Sequence, residues 1–120
     1  MIMNLTQHLA TPEQVKAGVI DLCPRKREAL TKLLTFDNIP TVYEMDLVCQ
    51  TITDIAVNAK HAAAMIGGAP ALMELLAQYL RNADIRPCYA FSARVSTEVT
   101  QPDGTVKKVS EFKHIGWWPL

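Results

Sequence analysis

The residues best equipped for chemistry in this chain are few and spread along it. Gly67 and Gly68 stand directly before Ala69-Pro70, where a helix start is expected. Two residues without Cβ let a backbone approach a ligand closely. A fresh helix offers unpaired N–H groups and the positive end of its dipole to an anion. Thr6, Gln7 and His8 follow a short apolar opening, and Ser92 and Arg94 share one face of a later run with β-type alternation. In a metal-free phosphodiester reaction His8 would be the general base and Arg94 the cation that meets developing charge. The chain carries no G-x-x-x-x-G-K-[ST], no G-x-G-x-x-G and no G-x-S-x-G, so no catalytic residue follows from a motif. His61 reads as structural or solvent-facing, and His114, near the end of the last strand, either crosses back to the site or points to water; without an H-x-x-x-H pair or a carboxylate cluster neither a metal centre nor a cofactor is expected.

The elements that must position these residues follow from capping and periodicity. Residues 1–6 read as a first strand. Thr11, Pro12 and Gln14 form a capping box with proline at the first helical position, and Gly18 ends that helix. Pro24 opens a second helix with Leu30, Leu33 and Leu34 on one face. Thr41 and Glu44 make another capping box, behind which Met45, Val48, Ile52, Ile55 and Ala59 recur at steps of three and four. The spacing predicts a helix over 42–59. Residues 62–66 read as a strand closed by the glycine pair, and Pro70 starts a helix over 70–81 with Leu72, Leu75, Leu76, Tyr79 and Leu80 inward. From Cys88 the chain alternates with Tyr89, Phe91, Ala93, Val95, Thr97 and Val99 on one face. Pro102-Asp103-Gly104 is a hairpin turn, and the return carries Val106, Val109, Phe112 and Ile115 at steps of three, read as a bulge or strong twist.

These elements predict a single α/β domain over residues 1–120. It is a small sandwich with a mixed sheet of about four strands, a βαβ unit, flanking helices and a C-terminal β-hairpin. In open sheets of this kind ligands bind beyond the carboxyl ends of the strands, where successive connections diverge. The candidate ligand-binding set is therefore Thr6, Gln7, His8, Gly67, Gly68, Ala69, Ser92 and Arg94.

Composition bounds the partners. In 120 residues, 49% are hydrophobic and 20% charged, and twelve Lys and Arg balance twelve Asp and Glu. This is an ordinary globular composition, and zero net charge argues against nucleic acid as a bulk electrostatic partner. The short clusters Arg25-Lys26-Arg27 and Lys107-Lys108 read as solvated faces. Three cysteines without a C-x-x-C pair, an opening without Lys or Arg, and the lack of a long apolar run predict a cytoplasmic protein with no membrane role. Trp117 and Trp118 side by side would point to opposite faces if extended, one toward the core and one toward a partner subunit, so a homodimer is expected.

At Asn4-Leu5-Thr6-Gln7-His8 with Ala10-Thr11-Pro12-Glu13-Gln14, at Ala64-Met65-Ile66-Gly67-Gly68-Ala69-Pro70, and at Tyr89-Ala90-Phe91-Ser92, the chain resembles small uncharacterised proteins of bacteria and their mobile elements. More distantly, the strand leading into Thr11-Pro12-Glu13-Gln14 and the later strand-glycine-helix unit are similar to small CRISPR-associated Rossmann-like (CARF-like) proteins. That resemblance implies binding, and sometimes cleavage, of cyclic oligoadenylates. Two functions are thus expected: a domain that binds a nucleotide or other phosphate-bearing ligand, with cyclic and signalling nucleotides among the candidates, or a non-catalytic adaptor of a mobile genetic element working through its tryptophans.

Overall fold

The computed structural model describes residues 1–119. The elements run β1 (Ile2–Asn4), α1 (Pro12–Lys16), β2 (Val19–Asp21), α2 (Pro24–Leu34), α3 (Val42–Ala59), β3 (Ala63–Met65), α4 (Pro70–Asn82), β4 (Arg86–Thr100) and β5 (Val106–Trp118). They form one α/β domain around a five-stranded mixed sheet of order β2-β1-β3-β4-β5. The first three pairings are parallel and β4 with β5 is antiparallel. The sheet therefore has one strand more than the sequence pattern suggests. The additional strand, β2, follows immediately on Gly18, which takes φ +100°. Three residues show no periodicity of their own, and β2 exists because its backbone pairs with β1.

The helices start where their caps direct. Thr11 Oγ1 accepts from the backbone N–H of Gln14 at 3.2 Å, while Gln14 Oε1 accepts from that of Thr11 at 3.0 Å, so the capping box is complete. At α3 only half of the expected box forms: Thr41 Oγ1 accepts from the N–H of Glu44 at 3.1 Å, with no reciprocal bond from the glutamate side chain. Proline occupies the first turn of α1, α2 and α4, where its missing N–H has no helical partner to lose.

The two faces of the sheet are covered unequally. On one face Leu30 and Leu34 of α2, Cys49, Ile52 and Ala56 of α3, and Leu72, Met73, Leu76, Ala77 and Leu80 of α4 bury Met3, Leu5, Ala64 and Ile66. Each fully buried aliphatic side chain here contributes about 2 kcal/mol of transfer free energy. A buried thiol belongs to this core: burial, with the Asp46 carboxylate second, pushes Cys49 up to about 11. Asp46 also accepts a 2.5 Å bond from the Tyr79 hydroxyl, which ties α3 to α4. On the other face Val19, Met65 and Cys88 form a smaller cluster with Ile2, Ala10, Ala90 and Trp117.

Beyond the body, β4 and β5 continue as a two-stranded arm. Its turn is the expected one: Gly104 holds φ +87°, and Asp103 Oδ1 accepts from the Thr105 N–H and hydroxyl, bonds that hold its carboxyl below the usual range. The expected bulge in the return strand is present, once and near the root of the arm. Pairing is regular from Ser92 with His114 to Thr100 with Val106, and the single register shift falls between Phe91 and Ser92, leaving Ile115 as the extra residue. Val106 and Phe112 therefore lie on one face and Val109 on the other. Both faces of the arm are open to water, so burial does not impose strict alternation there.

Candidate functional site

The chain leaves β1 through α1 toward β2, and leaves β3 through α4 toward β4. With β1 and β3 adjacent, these two connections run in opposite directions across the sheet. Ala10, at the entry to α1, packs in the smaller cluster, whereas α4 packs on the opposite face. Such a divergence opens a crevice at the carboxyl ends of the two strands. A cleft of about 560 Å³ occupies that position.

Its walls come from the loops after β1 and β3. Thr6, Gln7, His8 and Leu9 form one side, Ile66, Gly67 and Gly68 the other, with Tyr89 and Ala90 of β4 behind. Among its lining residues there is no Asp or Glu. A second cleft of about 520 Å³ shares Gly67, Gly68 and Tyr89 with the first and extends along α4 past Glu74, Gln78 and Arg81 to Trp118. The glycine turn thus separates two connected depressions. At its centre Gly68 takes φ +154°, a conformation side chains adopt rarely. Ala69 is the N-cap of α4 and makes no side-chain cap bond.

The loop after β1 is held by a buried polar network. Asn4, only 2% exposed, donates from Nδ2 to the Asp21 carboxylate at 2.7 Å and to the His8 carbonyl at 2.7 Å. Its Oδ1 accepts from the Thr6 N–H at 2.9 Å and from the Thr6 hydroxyl at 2.7 Å. The same Asp21 oxygen accepts from the Ala10 N–H at 3.1 Å. Residues 4–10 are therefore bent back on β2 and fixed at both ends of the turn. The Thr6 hydroxyl spends its hydrogen inside this network, which leaves it poorly placed as a nucleophile. Gln7 reaches from the cleft to the Leu34 carbonyl at 3.3 Å. His8 is exposed at the rim.

Five of the eight candidate residues, Thr6, Gln7, His8, Gly67 and Gly68, line one cleft. Ala69 lies beside it without lining it. Ser92 and Arg94 are on the arm past the cleft, where Arg94 stacks over the Phe112 ring at 5.2 Å from its centroid. His114 turns neither to the cleft nor to water: it meets Trp117 edge-on at 4.7 Å, and both ring nitrogens are buried without a hydrogen-bond partner among the described residues. Sequence reasoning missed Asn4, Asp21 and Tyr89. A polar Asn inside the apolar run Ile2-Met3-Asn4-Leu5 was the available signal, because a buried amide must find partners. Among the described residues, no three His, Cys, Asp or Glu side chains come together as metal ligands, and no helix is long and apolar enough to cross a membrane.

Fold and site together define a doubly wound α/β domain with a cleft at the topological switch point of its sheet. Residues 1–118 match the family described as Uncharacterized protein MJ1673, and the chain belongs to that family. No curated protein and no solved structure matches it.

Proposed function

We propose that the switch-point cleft binds a small phosphate-bearing ligand, with nucleotides, including cyclic or signalling ones, as the class to which it is best suited. The observation that carries this reading is the meeting of two carboxyl-end loops at Gly67-Gly68 in a cleft lined by no carboxylate. An anion there meets no fixed negative charge, can approach the backbone at the glycines, and lies beside an α4 N-terminus that no side chain caps. His8, Gln7 and Gln14 supply polar groups around it, and Tyr89 supplies an aromatic surface. No reaction is assigned, because the cleft holds no activated nucleophile. A second reading, an interaction protein working through its C-terminal tryptophans, rests on Trp118, which is 59% exposed. Trp117 is packed in the smaller cluster.

The test is a thermal-shift screen of the protein against mono-, di- and cyclic nucleotides at low and high salt. A native-state ligand raises the midpoint by mass action. Gly67→Asp is the matching variant: a Cβ at Gly67 meets only the Thr6 methyl, at an ordinary 3.6 Å, so the chain should fold while the new carboxylate repels phosphate. A selective shift in the parent that disappears in Gly67→Asp is expected. If no nucleotide moves the parent's midpoint, the ligand reading is lost and the interaction reading gains.

A further inference from the structure

The arm is the part of the molecule that the chain does not explain by itself. The radius of gyration is 17.3 Å and the longest dimension 59 Å, against about 14 Å for the radius of a compact chain of 120 residues. Residues 92–100 and 106–113 are almost all exposed, including Val99, Val106, Val109 and, at 68%, Phe112. An isolated two-stranded ribbon is at best marginally stable in water, so a ribbon of this length calls for a cover.

We propose that the cover is a second copy of this chain, with the two arms packed face to face and running in opposite directions. The pairing register assigns the faces. Ser92, Arg94, Ser96, Glu98 and Thr100 share one face with His114, Phe112, Ser110, Lys108 and Val106, in that order from root to tip. Alternation continues this face from Ala90, and His114 contacts Trp117, so it lies on the same side of the sheet as the smaller cluster. The opposite face carries Ala93, Val95, Thr97 and Val99 with Lys113, Glu111, Val109 and Lys107.

Charge selects the first face and the direction. A two-fold axis through the small Ser96–Ser110 rung, whose hydroxyls lie 3.2 Å apart, places Arg94 over the partner's Glu98 and Phe112 over the partner's Lys108. Each copy supplies both halves, so the arrangement closes with two equivalent cation–carboxylate contacts. The same operation on the opposite face sets Lys113 over the partner's Lys107, a like-charge contact. Running the arms in the same direction would instead bring the two bodies side by side and drive α1, on this side of the sheet, into its copy. The antiparallel arrangement puts the bodies at opposite ends. With four cations (Arg94, Lys107, Lys108, Lys113) and three carboxylates (Glu98, Asp103, Glu111) between residues 92 and 113, the arm is nearly neutral. A nucleic acid or anionic surface is a poor fit to it.

Nine residues of strand span about 30 Å. One ribbon face is therefore smaller than the roughly 800 Å² per partner of a standard interface, and the expected dimer is reversible, with a micromolar dissociation constant. The proposal does not depend on what the cleft binds.

Sedimentation of the full chain over a concentration series should show a monomer–dimer equilibrium. Arg94→Glu and Glu98→Arg should each weaken it by about tenfold, and the double swap should recover most of that loss by restoring opposite charges across the axis. Faces packed about 10 Å apart lie beyond disulfide reach. Orientation is therefore read with a short bis-maleimide in a Cys23→Ser background, where Ser96→Cys should cross-link to its own copy and Thr97→Cys, on the other face, should not. A parent that remains monomeric at hundreds of micromolar overturns the proposal. So does a double swap no better than the single variants, or equal cross-linking from both positions.

Discussion

The body and the arm of this domain invert the usual relation between regular structure and burial. In the body, β1 and β3 are three residues each, yet Met3 and Ala64 are fully buried and the strands are placed by helices on one face and a smaller cluster on the other. β4 and β5, of fifteen and thirteen residues, form the longest ladder in the molecule, and past the root of the arm none of the described residues packs over them. Strand length reports hydrogen bonding between neighbours. Stability comes from what covers the faces.

The sharpest way to test this contrast is to truncate an apolar side chain in each region. Leu76→Ala, fully buried between α4 and the sheet, should cost about 3 kcal/mol in urea unfolding, whereas Val109→Ala, on the arm's outer face, should stay within about 0.5 kcal/mol. Similar losses at the two positions would mean that the arm carries as much packing as the core. The next largest effect should come from the cleft loop. Asn4→Ala strands the Asp21 carboxylate and the groups of Thr6 that Asn4 serves, at a cost of about 1–3 kcal/mol, and should speed amide exchange at Thr6. A cost near zero with unchanged exchange would show that the loop is fixed by other contacts.

The thiols give the mildest test, because they read burial without altering the fold. Cys23 is exposed while Cys49 and Cys88 are buried, and burial raises both buried thiols above their ordinary value. An aromatic disulfide reagent at neutral pH should therefore titrate one thiol promptly and three after denaturation. The pH dependence has a definite sign. The Cys49 thiol ionises near 9.0 when unfolded and at about 11 when folded, so its contribution is complete below 9.0 and is lost as pH rises toward 11. Cys49→Ala should flatten that part of the alkaline stability curve, and an unchanged slope would remove Cys49 as its source.

Much of this architecture is legible in the chain because the signals are local. Thr11, Thr41 and the prolines mark helix starts that the structure reproduces, the apolar spacing over 42–59 matches the extent of α3, and Pro102-Asp103-Gly104 turns the hairpin. Capping bonds, helical periodicity and turn geometry are all settled within a few residues, so composition in a short window is enough to specify them. What required the folded molecule is non-local. β2 is a strand because β1 lies beside it, and Asn4 is a buried hub because Asp21, seventeen positions away, arrives within 2.7 Å. Thr6 and Gly67 share a cleft only because β1 and β3 are neighbours, while Ser92 and Arg94 leave it because β4 runs on past the body. No local rule encodes which distant segments meet, since that is decided by the joint burial of all the faces at once.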